Sequence, residues 1–185
     1  MRRLYRTLKI LVGLLACAGV VAACAIETSG RPGVMTVSGH LPDLRFRLTG
    51  DDGKIVDQTT FRGEPVLLYF GYSGCGNQCP LTLAKLARLD AGQRFRVVFV
   101  SVDPLDRPVT VQAFLSGFKP LDAHGLTGPP DAVADLARRY RAAYGVPDHG
   151  TAVYVFDGKG RARFVLTPQA TPSATISAID EAGHV

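Results

Sequence analysis

The chain has 185 residues, 46% of them hydrophobic, and a formal net charge of +5. Arg2, Arg3, Arg6 and Lys9 carry four of its 21 basic residues, and without them 17 bases face 16 acids. A near-neutral body has no overall electrostatic footprint for DNA or RNA, so no nucleic-acid partner is expected, and the length beyond a leader leaves about one domain.

Met1 to Lys9 is a cationic start, Ile10 to Ala23 is apolar, and Val21-Ala22-Ala23-Cys24 closes the run with small residues, the layout of an export signal. Three kinds of processing fit these letters. Val21-Ala22-Ala23-Cys24 resembles a bacterial lipobox and would make Cys24 a lipidated N-terminus, which is the favoured outcome. Ala23-Cys24-Ala25 also fits a small-x-small cleavage site, and the 17 residues from Ile10 to Ile26 are at the short edge for an uncleaved membrane anchor. All three place the domain outside the cytoplasm, in the bacterial periplasm or at the outer face of the membrane. Glu27 to Gly39, with Ser29, Gly30, Pro32, Gly33 and Ser38, reads as a tether. The expected organisation is therefore residues 1–23 as signal or anchor, 24–39 as tether and 40–185 as the folded domain.

Within the domain, Leu44, Phe46 and Leu48 alternate with Arg45, Arg47 and Thr49. Asp51-Asp52-Gly53 supplies turn chemistry before Lys54-Ile55-Val56, so a β-hairpin is predicted. Val66-Leu67-Leu68-Tyr69-Phe70-Gly71 has the composition of a buried strand and runs directly into Cys75-Gly76-Asn77-Gln78-Cys79-Pro80. From Leu81 to Leu89 apolar residues recur at three and four spacing, with Lys85 and Arg88 turned outward, which predicts a helix that Pro80 can open. Arg96 to Val102 is a second buried strand, stopped by Asp103-Pro104. Helices follow over Val109–Phe118 and Asp131–Tyr144, with His124 in the loop between them. Thr151–Phe156 and Ala162–Leu166 form a terminal hairpin around Asp157-Gly158-Lys159-Gly160, and Thr171–Ala182 is a closing helix. Two buried strands joined by a helical crossover, then a hairpin and a helix, resemble the thioredoxin plan: an α/β, thioredoxin-like fold with an N-terminal β-hairpin extension.

Cys17 and Cys24 belong to the leader, so the domain keeps only Cys75 and Cys79. In an oxidising compartment one close pair is a staple, a redox dithiol or a metal site. A staple enclosing three residues removes little loop entropy and is a poor source of stability. If both thiols sit on the helix they are four positions apart on one face, and a helix N-terminus favours thiolate over thiol. Thiolates are soft ligands for copper(I), and an added imidazole makes the set suitable for copper(II). Of the four histidines, His184 is at the C-terminus, His40 at the edge of the tether and His124 in a loop. His149 immediately precedes the strand at Thr151, a loop that in a thioredoxin plan lies across from the dithiol.

Phe70 to Pro80, Val100-Ser101-Val102-Asp103-Pro104, Gly125-Leu126-Thr127-Gly128 and Asp148-His149 resemble the signature blocks of the Sco/SenC proteins, over about Leu41 to Ile179. These are membrane-tethered, thioredoxin-like copper proteins that help assemble the dinuclear copper centre of cytochrome c oxidase. The resemblance implies that Cys75, Cys79 and His149 bind one copper ion, Cu(I) or Cu(II), with Asp148 and Asp103 at most behind them. It implies a copper donor protein and, as recipient, the copper-centre subunit of the oxidase. The sequence departs from the family at Gly76-Asn77-Gln78, where a Pro after the first cysteine and often an Asp are usual. The run before His149 is also shorter than the insertion many members carry.

The leading function is thus a copper chaperone without turnover; the alternative is an extracytoplasmic thiol-disulfide oxidoreductase, whose usual motif is the shorter Cys-x-x-Cys. A thiol peroxidase of this fold would carry Thr three positions before its cysteine, whereas Tyr72 and Gly76 stand there. Structural zinc normally takes four protein ligands, and no fourth is evident.

Overall fold

A computed structural model describes residues 30–89, 95–142 and 151–185. Arg31–Val185 forms one compact unit. Cys17, Cys24, the signal and residues 24–29 of the tether lie outside the described residues, as do Asp148 and His149.

One eight-stranded sheet organises the unit, in the spatial order β1-β8-β7-β4-β5-β6-β2-β3. The strands are β1 (Val34–Thr36), β2 (Arg47–Gly50), β3 (Ile55–Asp57), β4 (Val66–Gly71), β5 (Arg96–Ser101), β6 (Ala123–Thr127), β7 (Val153–Phe156) and β8 (Ala162–Leu166). The helices are α1 (Gln78–Leu89), α2 (Pro108–Ser116), α3 (Pro130–Arg139) and α4 (Pro172–Gly183). β4, β5 and β6 run parallel, β7 runs antiparallel to β4, and β7 and β8 form the terminal hairpin.

Both central strands are buried on both faces, which is why they read as continuous apolar runs. Their side chains still divide with a period of two. Val66, Leu68 and Phe70 of β4 join Val98 and Val100 of β5 in a core under α3 and the Leu44–Leu48 segment. Leu67 and Tyr69 join Val97 and Phe99 on the opposite face, with Cys75, Cys79, Leu83 and the apolar sides of α2 and α4. Each fully buried Leu or Phe contributes about 1.5–3 kcal/mol of transfer free energy, so this shared ladder dominates the fold.

The hairpin, both central strands, the terminal hairpin and the closing helix occur where the sequence places them. Four features differ. β1 lies within the stretch read as tether, and Val34, Met35 and Thr36 pair with Leu166, Val165 and Phe164 of β8; the pairing lies far away in the chain and leaves no local pattern. β6 occupies the segment read as a loop, so His124 is a strand residue opposite Val98. A Cβ on its Gly125 would lie 2.4 Å from Val111 Cγ1, so this glycine marks the close approach of α2 rather than a turn. The predicted helix 131–144 ends at Arg139. Arg141, at φ 54°, leaves the helix through the left-handed region while Ala142 N–H donates to the Ala137 carbonyl at 2.9 Å. Finally, α1 begins at Gln78, ahead of Pro80, and Cys75 lies outside it. No helix among the described residues is long and apolar enough to cross a membrane.

Candidate metal centre

The two cysteines meet at the carboxyl end of β4. Gly71 closes the strand in register with Ser101 of β5, and the chain turns at Tyr72, whose carbonyl accepts from Cys75 N–H at 3.2 Å. Leu81 N–H then donates to the Asn77 carbonyl at 3.1 Å as α1 starts. Cys79, in the first turn of α1, donates its backbone N–H to Cys75 Sγ at 3.3 Å. Proximity therefore comes from a loop folded back over the helix N-terminus, not from a shared helical face. The first sulfur occupies a place where helix N–H groups are otherwise left over.

Both side chains are buried, Cys75 at 5% and Cys79 at 0% relative exposure, and no disulfide joins them. Burial, reinforced by the Cys75 hydrogen bond, pushes the Cys79 thiol up to about 12. Desolvation thus outweighs the helix-end preference for thiolate expected from the sequence. Burial also raises the phenols of Tyr69 and Tyr72. Gly76, Asn77 and Gln78, which link the two cysteines, are exposed.

The loop is held by a residue the sequence reading did not single out. Asp106 accepts from Ser73 N–H at 2.9 Å and from the Ser73 hydroxyl, and its second link runs to the Ser101 hydroxyl at the end of β5. One carboxylate thereby ties the chain entering Cys75 to the loop leaving β5. Asp103, the expected supporting acid, spends a carboxylate oxygen on Leu105 N–H at 2.9 Å and shapes its own turn. Only the recurrence of Ser73, Ser101 and Asp106 around two strand ends hints at this, and their partners are set by the β4–β5 register. Asp106→Ala leaves Ser73 N–H and two hydroxyls without their acceptor, at a cost of about 1–3 kcal/mol. A lowered melting temperature and faster alkylation of Cys75 are expected, and unchanged alkylation would show that Asp106 does not position the thiol loop.

Of the four histidines, three are placed away from the sulfurs. His40 Nδ1 lies 3.0 Å from the Ser38 carbonyl, His184 Nδ1 lies 2.6 Å from that of Asp180, and both are exposed. His124 pairs with Asp122 at 2.9 Å and packs edge-on against Phe61. His149 lies outside the described residues. Among the described residues no cluster of three or more His, Cys, Asp or Glu side chains forms.

The SCO1/SenC family model matches residues 38–183. The chain belongs to the SCO1/SenC family. Among curated proteins, it is 35% identical over 119 residues to the mitochondrial SCO1 homolog 1 of Arabidopsis thaliana, covering 60% of this chain and 35% of that one. It is 33% identical over 129 residues to SenC of Rhodobacter capsulatus, covering 62% and 58%. The chain thus spans only about a third to two thirds of the length of the curated SCO1/SenC relatives it matches. Among solved structures, copper-bound ScoI of Arabidopsis thaliana superposes with a TM-score of 0.69 at 28% identity, over 76% of this chain and 96% of that one. Copper-bound ScoI of Bradyrhizobium japonicum gives 0.65 at 30% identity, over 76% and 99%. These neighbours bear out the thioredoxin-like fold expected from the sequence.

Proposed function

We propose that this SCO1/SenC protein is a copper chaperone: it binds one copper ion through Cys75, Cys79 and His149 and passes it by ligand exchange to the copper-centre subunit of cytochrome c oxidase. The single observation carrying this reading is the pair of buried sulfurs joined through the Cys79 N–H to Cys75 Sγ bond at the end of β4. Two soft donors in an apolar pocket beside Phe99 and Tyr69 suit copper(I) and offer little to hard, oxygen-preferring ions. Structural neighbours of 28 and 30% identity with copper bound support copper as the metal. Copper is cargo here, so the protein needs no turnover; a donor protein loads it and the recipient's ligands displace its own. In this reading the domain works on the outer face of a membrane, held by its N-terminus, with Cys24 as the lipidated residue.

Burial of both sulfurs makes rapid exchange with bulky disulfides unfavourable, which ranks the oxidoreductase alternative second. The test is a copper(I) titration of the reduced protein without oxygen, together with the copper(II) spectrum of wild type and His149→Ala. One equivalent should bind, and the variant should lose the wild-type copper(II) spectrum. An unaltered spectrum would remove His149 from the ligand set, and fast insulin reduction with poor copper retention would favour the oxidoreductase.

A further inference from the structure

At the other end of β4 the chain gathers positive charge. Arg45, Arg47, Arg62, Arg139 and Lys159 line one cleft of about 460 Å³, in which Asp43 is the only acid. All five cations are exposed, and none takes part in an ion pair among the described residues. Two further acids border it: Asp57, in register with Arg47 across β2 and β3 and engaged by Thr59, and Asp135, which shares an adjoining pocket with Arg47 and Arg139. A body with 17 bases and 16 acids would not concentrate five unpaired cations by composition alone.

The frame of this cleft is main chain and is stitched together. Leu44 N–H donates to the Gly160 carbonyl at 2.7 Å and Gly63 N–H to that of Gly158 at 2.9 Å, which joins the segments bearing Arg45, Arg62 and Lys159. Arg139 donates to the Arg45 carbonyl at 2.8 Å and Tyr140 Oη to that of Asp43 at 2.9 Å, which fixes the end of α3 against the same segment. The buried Asp157 carboxylate accepts from Lys159 N–H and Arg161 N–H, both at 2.9 Å, and stiffens the β7–β8 turn. Arg45 and Arg47 point outward because Leu44, Phe46 and Leu48 alternate with them into the core. Held this way, five cations against the single lining acid Asp43 leave the cleft net positive, and a multiply charged anion relieves their mutual repulsion.

We propose that this cleft is a binding site for a phosphate-bearing anion. Planar guanidinium groups match phosphate oxygens, and the volume suits one headgroup or a diphosphate. The same chemistry comes from an anionic lipid headgroup or from free phosphate. Because Val66 pairs with Phe156, both Arg62 and Lys159 lie at the amino end of β4, so an occupied cleft leaves the cysteine end unobstructed. The proposal does not depend on what the cysteines bind.

Hydrogen exchange of the full chain in phosphatidylcholine vesicles tests it, with phosphatidylglycerol added to the bilayer in one arm and pyrophosphate to the buffer in the other. Amides of residues 44–47, 62–64 and 158–160 should slow about tenfold once the anion is in tenfold excess over its dissociation constant. Slowing with phosphatidylglycerol alone assigns the site to lipid headgroups, and slowing with pyrophosphate assigns it to free phosphates. The double variant Arg62→Gln/Lys159→Gln should bind about thirty-fold more weakly, while Lys85→Gln/Arg88→Gln, which removes the same charge from α1, should match wild type. No slowing in either arm, equal slowing in Arg62→Gln/Lys159→Gln, or an equal loss in Lys85→Gln/Arg88→Gln would overturn the proposal.

Discussion

Cys75→Ser and Cys79→Ser should each reduce bound copper(I) from one equivalent to none in competition with a chelator, but with different effects on the fold. Cys75 Sγ accepts the Cys79 N–H, and a serine hydroxyl can take over that role, so Cys75→Ser should melt close to wild type. Cys79 has no exposure, and its sulfur lies beside Gly71 with hydrogen bonds to Tyr69 and the Tyr72 backbone, so Cys79→Ser must re-form those bonds with a smaller atom in a packed site and should melt below wild type. A folded Cys75→Ser protein that has lost copper separates ligation from stability, whereas one retaining a full equivalent would end the dithiol reading. The pH dependence has a definite sign. With the Cys79 thiol raised to about 12 by burial, the free protein holds this proton throughout the neutral range, and copper must displace it. Apparent affinity should therefore rise with pH, by about tenfold per unit from this proton alone between pH 6 and 8. A flat profile would mean that Cys79 is already a thiolate before the metal arrives.

The sequence made the centre of the molecule legible because β4 and β5 are buried on both faces and leave uninterrupted apolar runs. The dithiol was legible for a related reason: two cysteines directly after such a run can only lie at a strand end. What escaped depends on partners remote in the chain. Val34–Thr36 has no strand pattern and is a strand because β8 offers an edge. Ala123–Thr127 contains a glycine and a histidine and is a strand because β5 and β2 pair with it from both sides. Asp106 could not be told from Asp103 by position, since only the folded loop decides which carboxylate reaches Ser73. The expectation of a thiolate failed on magnitude: a helix end contributes at most about 2 kcal/mol, and full burial of a sulfur can exceed that. The basic cleft was hidden by the near-cancelling sum of charges in the body of the chain.

Gly71→Ala should damage the site more than any other change that leaves both thiols in place. A Cβ there would lie 2.6 Å from Phe99 Cε2 and 2.8 Å from Cys79 Sγ, closer than such contacts occur. The backbone has little room to yield, because the Gly71 carbonyl accepts from Val102 N–H at 2.7 Å and the residue is paired with Ser101 in the central ladder. Phe99 is equally confined, with no exposure and with the rings of Tyr69 and Phe114 at 5.9 and 5.7 Å. The strain must therefore fall on the sulfur and the first turn of α1. Overpacking of this kind costs about 1–3 kcal/mol, which in a domain of this size lowers the melting temperature by roughly 3–10 °C. Displacement of Cys79 Sγ from Cys75 should also weaken copper(I) binding by at least about tenfold, since donor geometry sets affinity as much as donor identity. Gly76→Ala is the matched control: nothing lies within 4 Å of its added Cβ, so it should melt and bind as wild type does. If Gly71→Ala also did so, the sulfur would have to sit elsewhere than against the end of β4, and the pocket described for it would be wrong.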